Sequence, residues 1–95
     1  MDERGIKELR QLVDEVLYSR TKTEAQNLIR RLEFVAAGMK GSLDSYLAGK
    51  LGEVVVYAKE ASGKAKNKEH WISCVEQCWY VFESRIKRSW SQADQ

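Results

Sequence analysis

Gly38-Met39-Lys40-Gly41-Ser42 is the stretch whose reading decides how this chain folds. Apolar residues before it (Ala25, Leu28, Ile29, Leu32, Val35, Met39) and after it (Leu43, Tyr46, Leu47, Leu51, Val54, Val55, Ala58) keep one helical phase. One uninterrupted helix over 24–61 would run about 57 Å at 1.5 Å per residue. That is too long for a 95-residue monomeric body. Its glycines would each cost about 1 kcal/mol relative to alanine. The spacing therefore predicts a break between Gly38 and Ser42, with Ser42 as the N-cap of the next helix. A long helix fits only an intertwined oligomer.

Working outward, Ile6, Leu9, Leu12, Val13, Val16 and Leu17 form an apolar stripe over about 3–19. Ser19-Arg20-Thr21-Lys22-Thr23 separates it from the second stripe. Thr21 with Glu24 reads as a capping box, and Thr23 competes for the cap. Val54-Val55-Val56-Tyr57 has strand-like composition, yet no partner strand exists, so helix is predicted there too. Ser62-Gly63 ends that helix, residues 63–68 read as an exposed loop, and Asn67 caps the last helix. The expected fold is all-α: a compact antiparallel bundle of four helices near 3–19, 22–38, 42–62 and 68–90. Residues 1–95 form one domain, with 91–95 expected to be a disordered tail.

The last helix carries the widest apolar surface. Val81, Cys74, Cys78, Trp71, Phe82, Val75, Ile86, Trp79, Ile72 and Trp90 occupy one arc about 180° wide at 100° per residue. A surface helix needs little more than a 100° stripe. This helix is therefore expected to be the central one or to leave apolar surface for a partner. Trp71, Trp79 and Trp90, with Tyr80 on the polar side, are the candidate partner-binding residues. Gly49 and Gly52 read as a close-contact notch for this bulky helix, with Gly38 and Gly41 making the turn.

Little in the chain points to catalysis. His70, Cys74 and Cys78 recur at four-residue steps, and adjacent members could share a metal ion. All three could not, because the outer pair is separated by roughly 12 Å of helix rise. No second Cys or His cluster completes a set, so both thiols read as core residues and no metal or cofactor is expected. One histidine without a visible orienting group or oxyanion donor argues against an enzyme.

Composition narrows the partners. With 43% hydrophobic and 32% charged residues, no proline and a net charge of +2, the chain reads as a folded domain rather than a disordered one. Missing proline also disfavours a β-sandwich. No stretch reaches the roughly 20 apolar residues of a membrane span. The charged start MDERGIKELR is no secretory signal, and two cysteines make no disulfide framework, which predicts a cytoplasmic setting. Basic residues cluster at Lys64, Lys66 and Lys68 and again at Arg85, Lys87 and Arg88. The two clusters sit about 25–30 Å apart along the last helix. They are the candidate contacts if the protein associates with nucleic acid.

Ala36-Ala37-Gly38-Met39-Lys40-Gly41-Ser42, with Leu51 and the helix end Glu60-Ala61-Ser62-Gly63, resembles the active helix and return of a histidine-containing phosphotransfer domain. The resemblance implies an antiparallel four-helix bundle. Ala37 stands where that family has its phosphorylated histidine, and Leu47 where a second glycine is usual. It therefore implies a phosphorylation-dead bundle that docks a receiver-like partner around Lys40. The residues themselves favour a small non-enzymatic interaction module: an adaptor, inhibitor or assembly subunit that meets another protein or a second copy through the last helix.

Overall fold

The computed structural model describes residues 2–63 and 66–93. It contains four helices, α1 (Glu3–Leu17), α2 (Lys22–Lys40), α3 (Ser45–Gly63) and α4 (Lys68–Ala93), and no strand among the described residues. The chain is an all-α bundle, as its periodicity predicts. Its extents of 46 × 23 × 20 Å and radius of gyration of 13.4 Å make it elongated. The 26 residues of α4 set that length.

Local signals fix most helix ends. The Asp2 side chain accepts the Gly5 N–H at 2.8 Å and opens α1. Thr21, not Thr23, caps α2, its hydroxyl accepting the Glu24 N–H at 3.1 Å. The break falls later than Gly38, which lies inside α2. Ser42 is not the cap of α3: its N–H and hydroxyl both donate to the Met39 carbonyl at 3.0 Å, closing the end of α2. Asp44 caps α3 instead, accepting the Leu47 N–H at 2.8 Å. A carboxylate two residues closer to the helix start satisfies the orphan N–H groups and complements the positive helix terminus. At the other end of the chain α4 continues to Ala93, so the backbone of 91–93 is helical rather than a tail. Residues 94 and 95 lie outside the described residues.

Neighbouring helices run antiparallel. Glu33 bridges to Lys59 across α2 and α3. Tyr46 meets Arg85, and Tyr57 meets Trp71, across α3 and α4. Arg10 of α1 reaches Glu76 and the Trp79 ring of α4. α3 packs closely against all three other helices, most extensively against α4. The reason is its composition: Leu47, Leu51, Val54, Val55, Ala58 and Ala61 are all buried. At 100° per residue they share one arc about 120° wide, broad enough to meet several neighbours. The central helix is therefore α3, whereas the breadth of the α4 arc suggested α4. One hydrophobic core draws on all four helices.

Long side chains close the seam between α1 and α4. Burial opposes the charge on Arg10, but its hydrogen bond to Glu76 and the charges of Asp14 and Glu76 more than offset that, so its pKa is raised. Trp79 lies beneath this pair and donates its indole N–H to Glu83 at 2.9 Å.

Gly49 and Gly52 do not form a notch for α4. A Cβ built on either would meet nothing within 4 Å. Gly49→Ala and Gly52→Ala are therefore each expected to raise folding stability by up to about 1 kcal/mol through helix propensity. Leu51→Ala, between them but fully buried, should cost about 2–5 kcal/mol. Urea denaturation of the three variants checks this, and a destabilised Gly52→Ala protein would show that a neighbour does press on that face.

Candidate interaction face

Most of the broad apolar arc of α4 is covered within the chain. Val75, Trp79, Phe82 and Ile86 are buried, and Trp71, Ile72, Cys78 and Trp90 are partly buried against the core. Trp79 retains only 6% of its surface, so it packs inside the bundle. Trp71 stacks on Tyr57 at 5.9 Å and takes the edge of His70 at 5.0 Å. Of the four predicted partner-binding residues, only Tyr80 stands free, 73% exposed on the polar side of α4.

The basic clusters do not converge. At 100° per residue Lys87 leaves α4 about 160° from Arg85, whereas Arg88, three residues after Arg85, shares its side. Arg85 lies over the Tyr46 ring at 4.3 Å on the α3 side. Lys87 pairs with Glu83 at 3.3 Å. Arg88 is exposed, as is Lys66, and Lys68 is half-buried. Lys64 lies outside the described residues.

His70, Cys74 and Cys78 line one edge of the α3–α4 seam. Cys74 Sγ lies 3.8 Å from His70 Nε2. The Cys78 thiol donates to Glu53 Oε2 at 3.3 Å, and Lys50 Nζ donates to the same oxygen at 3.2 Å. Burial, then the bond to Glu53 and its charge, push the Cys78 thiol above its usual range. Those hydrogen bonds from Cys78 and Lys50 hold the Glu53 carboxyl below its own. Neither cysteine is in a disulfide. Among the described residues no group of three or more His, Cys, Asp or Glu side chains could hold a metal ion.

Apolar surface is uncovered at Tyr18 after α1, at Tyr46 on α3, at Tyr80 and Val81 on α4, and on the outer side of the α2–α3 pair. Phe34 on α2 is 81% exposed and Val56 on α3 is 55% exposed. Phe34, Ala37, Gly38 and Gly41 follow helical spacing along the outside of α2, and Gly49, Gly52 and Val56 do the same on α3. Between the two helices runs an open groove of about 690 Å³ whose lining includes Ala36, Ala37, Gly49, Gly52 and Val56. Lys59 and Glu33 bridge its far end at 3.4 Å. Beyond the bridge a second groove of about 630 Å³ continues past Ile29 and Ala25 to the start of α2. The outer side of the pair thus carries two apolar projections, Phe34 and Val56, beside a groove whose lining also holds Glu33, Lys40, Glu53 and Lys59.

Sequence periodicity passed over both projections. Phe34 falls outside the α2 stripe, about 200° from Leu32 at 100° per residue, which is itself the signal of an outward aromatic. Three consecutive valines cannot all face one core, so one of Val54, Val55 and Val56 had to point outward.

No known protein family, curated protein or solved structure matches this chain. At the position of the phosphotransfer resemblance, Ala37 sits exposed at the lip of the α2–α3 groove, with Lys40 on its wall.

The Cys78 environment gives a chemical check. At pH 7–8 its alkylation by iodoacetamide should be slower than that of a free thiol, because less thiolate is present when the pKa is raised. Glu53→Ala removes both the acceptor and the negative charge and should speed the reaction. An unchanged rate would show that Glu53 does not govern the thiol.

Proposed function

We propose that this chain is a non-enzymatic protein–protein interaction module whose docking surface is the outer face of the α2–α3 layer. The observation that carries the reading is the pairing of exposed Phe34 and Val56 with an open, small-residue groove between their helices. Singly exposed apolar side chains are ordinary on protein surfaces. Two on adjacent helices, beside a groove lined in part by alanine and glycine, support a docking face. Aromatic side chains, phenylalanine included, are enriched in interfaces whose rim is polar. The polar rim here is Arg30, Glu33, Lys40, Glu53, Lys59 and Glu60. Free cysteines on the neighbouring seam fit a reducing, cytoplasmic setting. Among the described residues no helix is long and apolar enough to cross a membrane.

Affinity capture from the source cells with wild-type and Phe34→Asp baits tests the proposal. Phe34 is far enough from the core that the variant should keep the wild-type circular dichroism and melting temperature. The wild-type bait should retain bound protein, its own untagged copy included, that the variant loses. Identical recovery with both baits would remove Phe34 from any docking role.

A further inference from the structure

We infer that the occupant of the α2–α3 face is a second copy of the chain, docked about a twofold axis parallel to the helices so that α2 of each protomer lies on α3 of the other. The inference rests on the interaction-module reading and names its partner.

Glu33 of α2 and Lys59 of α3 neutralise one another across this face. The other rim charges are Arg30, Arg31 and Lys40 on α2, and Glu60 and Glu53 on α3, Glu53 also pairing with Lys50 at 3.2 Å. Among the described residues, Arg30, Arg31, Lys40 and Glu60 take part in no ion pair. The Glu33–Lys59 bridge fixes the register of α2 against α3. In that antiparallel register Lys40 lies level with Gly52 and Glu53, and Arg30 lies within one turn of Glu60.

A twofold axis parallel to the helices preserves these levels while exchanging the helices. Each α2 then faces an antiparallel α3, as it does within its own chain. Lys40 of one protomer comes opposite Glu53 of the other, and Arg30 opposite Glu60, twice over by symmetry. Phe34 arrives beside Val56 of the other protomer, and Ala37 over the hollow at Gly52. A twofold perpendicular to the helices gives the opposite result. It sets α2 on α2 and α3 on α3, placing cations against cations and carboxylates against carboxylates, which disfavours that arrangement.

Size agrees with a modest dimer. Helices of 19 residues are about 28 Å long, and two side by side are about 20 Å across. That footprint falls below the roughly 800 Å² per partner of a standard interface and suits a weak dimer. A dissociation constant on the order of micromolar is expected there.

Sedimentation equilibrium of the full chain, from about 1 μM to about 1 mM, is the test. The weight-average mass should rise from 11.0 kDa towards twice that value. Arg30→Glu and Glu60→Arg should each weaken dimerisation about tenfold or more, and the double variant should regain most of the loss. Melting curves establish that each variant is folded. A constant monomer mass would overturn the second-copy inference. Self-association that ignores both charge reversals would overturn the twofold proposed. A strict monomer that still captures another protein in a Phe34-dependent way would fail this inference alone. A strict monomer without such capture would fail the interaction-module reading as well.

Discussion

The bundle depends on the buried apolar arc of α3. Leu51, Val54 and Ala58 are fully buried along its length, and α1, α2 and α4 all pack on it. Burying side chains of this size contributes about 1.5–3 kcal/mol each for the larger ones. No other helix offers the same surface to three partners. The longest seam, with α4, takes up Trp71, Val75, Phe82 and Ile86. That is why the broad apolar arc of α4 ends up mostly covered by its own chain. Where α1 meets α4 the contact passes through Arg10, Glu76 and Trp79 instead.

The same arrangement leaves α2 lightly held. Its buried residues are Ala25, Leu32 and Ala36, two of them too small to draw the helix deep into α3. A groove therefore stays open along the α2–α3 layer, and the glycines on α3 face it rather than a neighbouring helix. Alanine at those positions would favour the isolated helix. Glycine there is a local cost in helix stability, and in the proposed dimer the missing Cβ would let another backbone approach. Stability traded for function in this way is common at binding surfaces. Phe34, nearly bare on the outside of α2, adds to the same account.

The sequence made the elements legible and left the exposed face largely hidden. Stripes at three- and four-residue steps located all four helices, and Thr21 marked the start of α2 correctly. Ser42 was a reasonable cap by residue type, but Asp44 competes two residues later with a charged acceptor, and hydroxyl and carboxylate cannot both open α3. Periodicity reports which side of a helix is apolar, not how much of that side its neighbours cover. The arc of α4 therefore looked like surplus, while the off-stripe Phe34 and the third valine, Val56, looked like noise. Basic residues close in sequence were separated by helical rotation, as Arg85 on Tyr46 and Lys87 on Glu83 show.

The central claim is that a second copy docks on the α2–α3 face rather than on α4. Amide chemical shifts recorded on the isotope-labelled chain across a dilution series test it most directly, because they report contact residue by residue. The account predicts concentration-dependent shifts at Phe34, Ala37, Gly38, Gly49, Gly52 and Val56, with Tyr80 unmoved. Shifts confined to α4 around Tyr80, or none at any concentration, would contradict it.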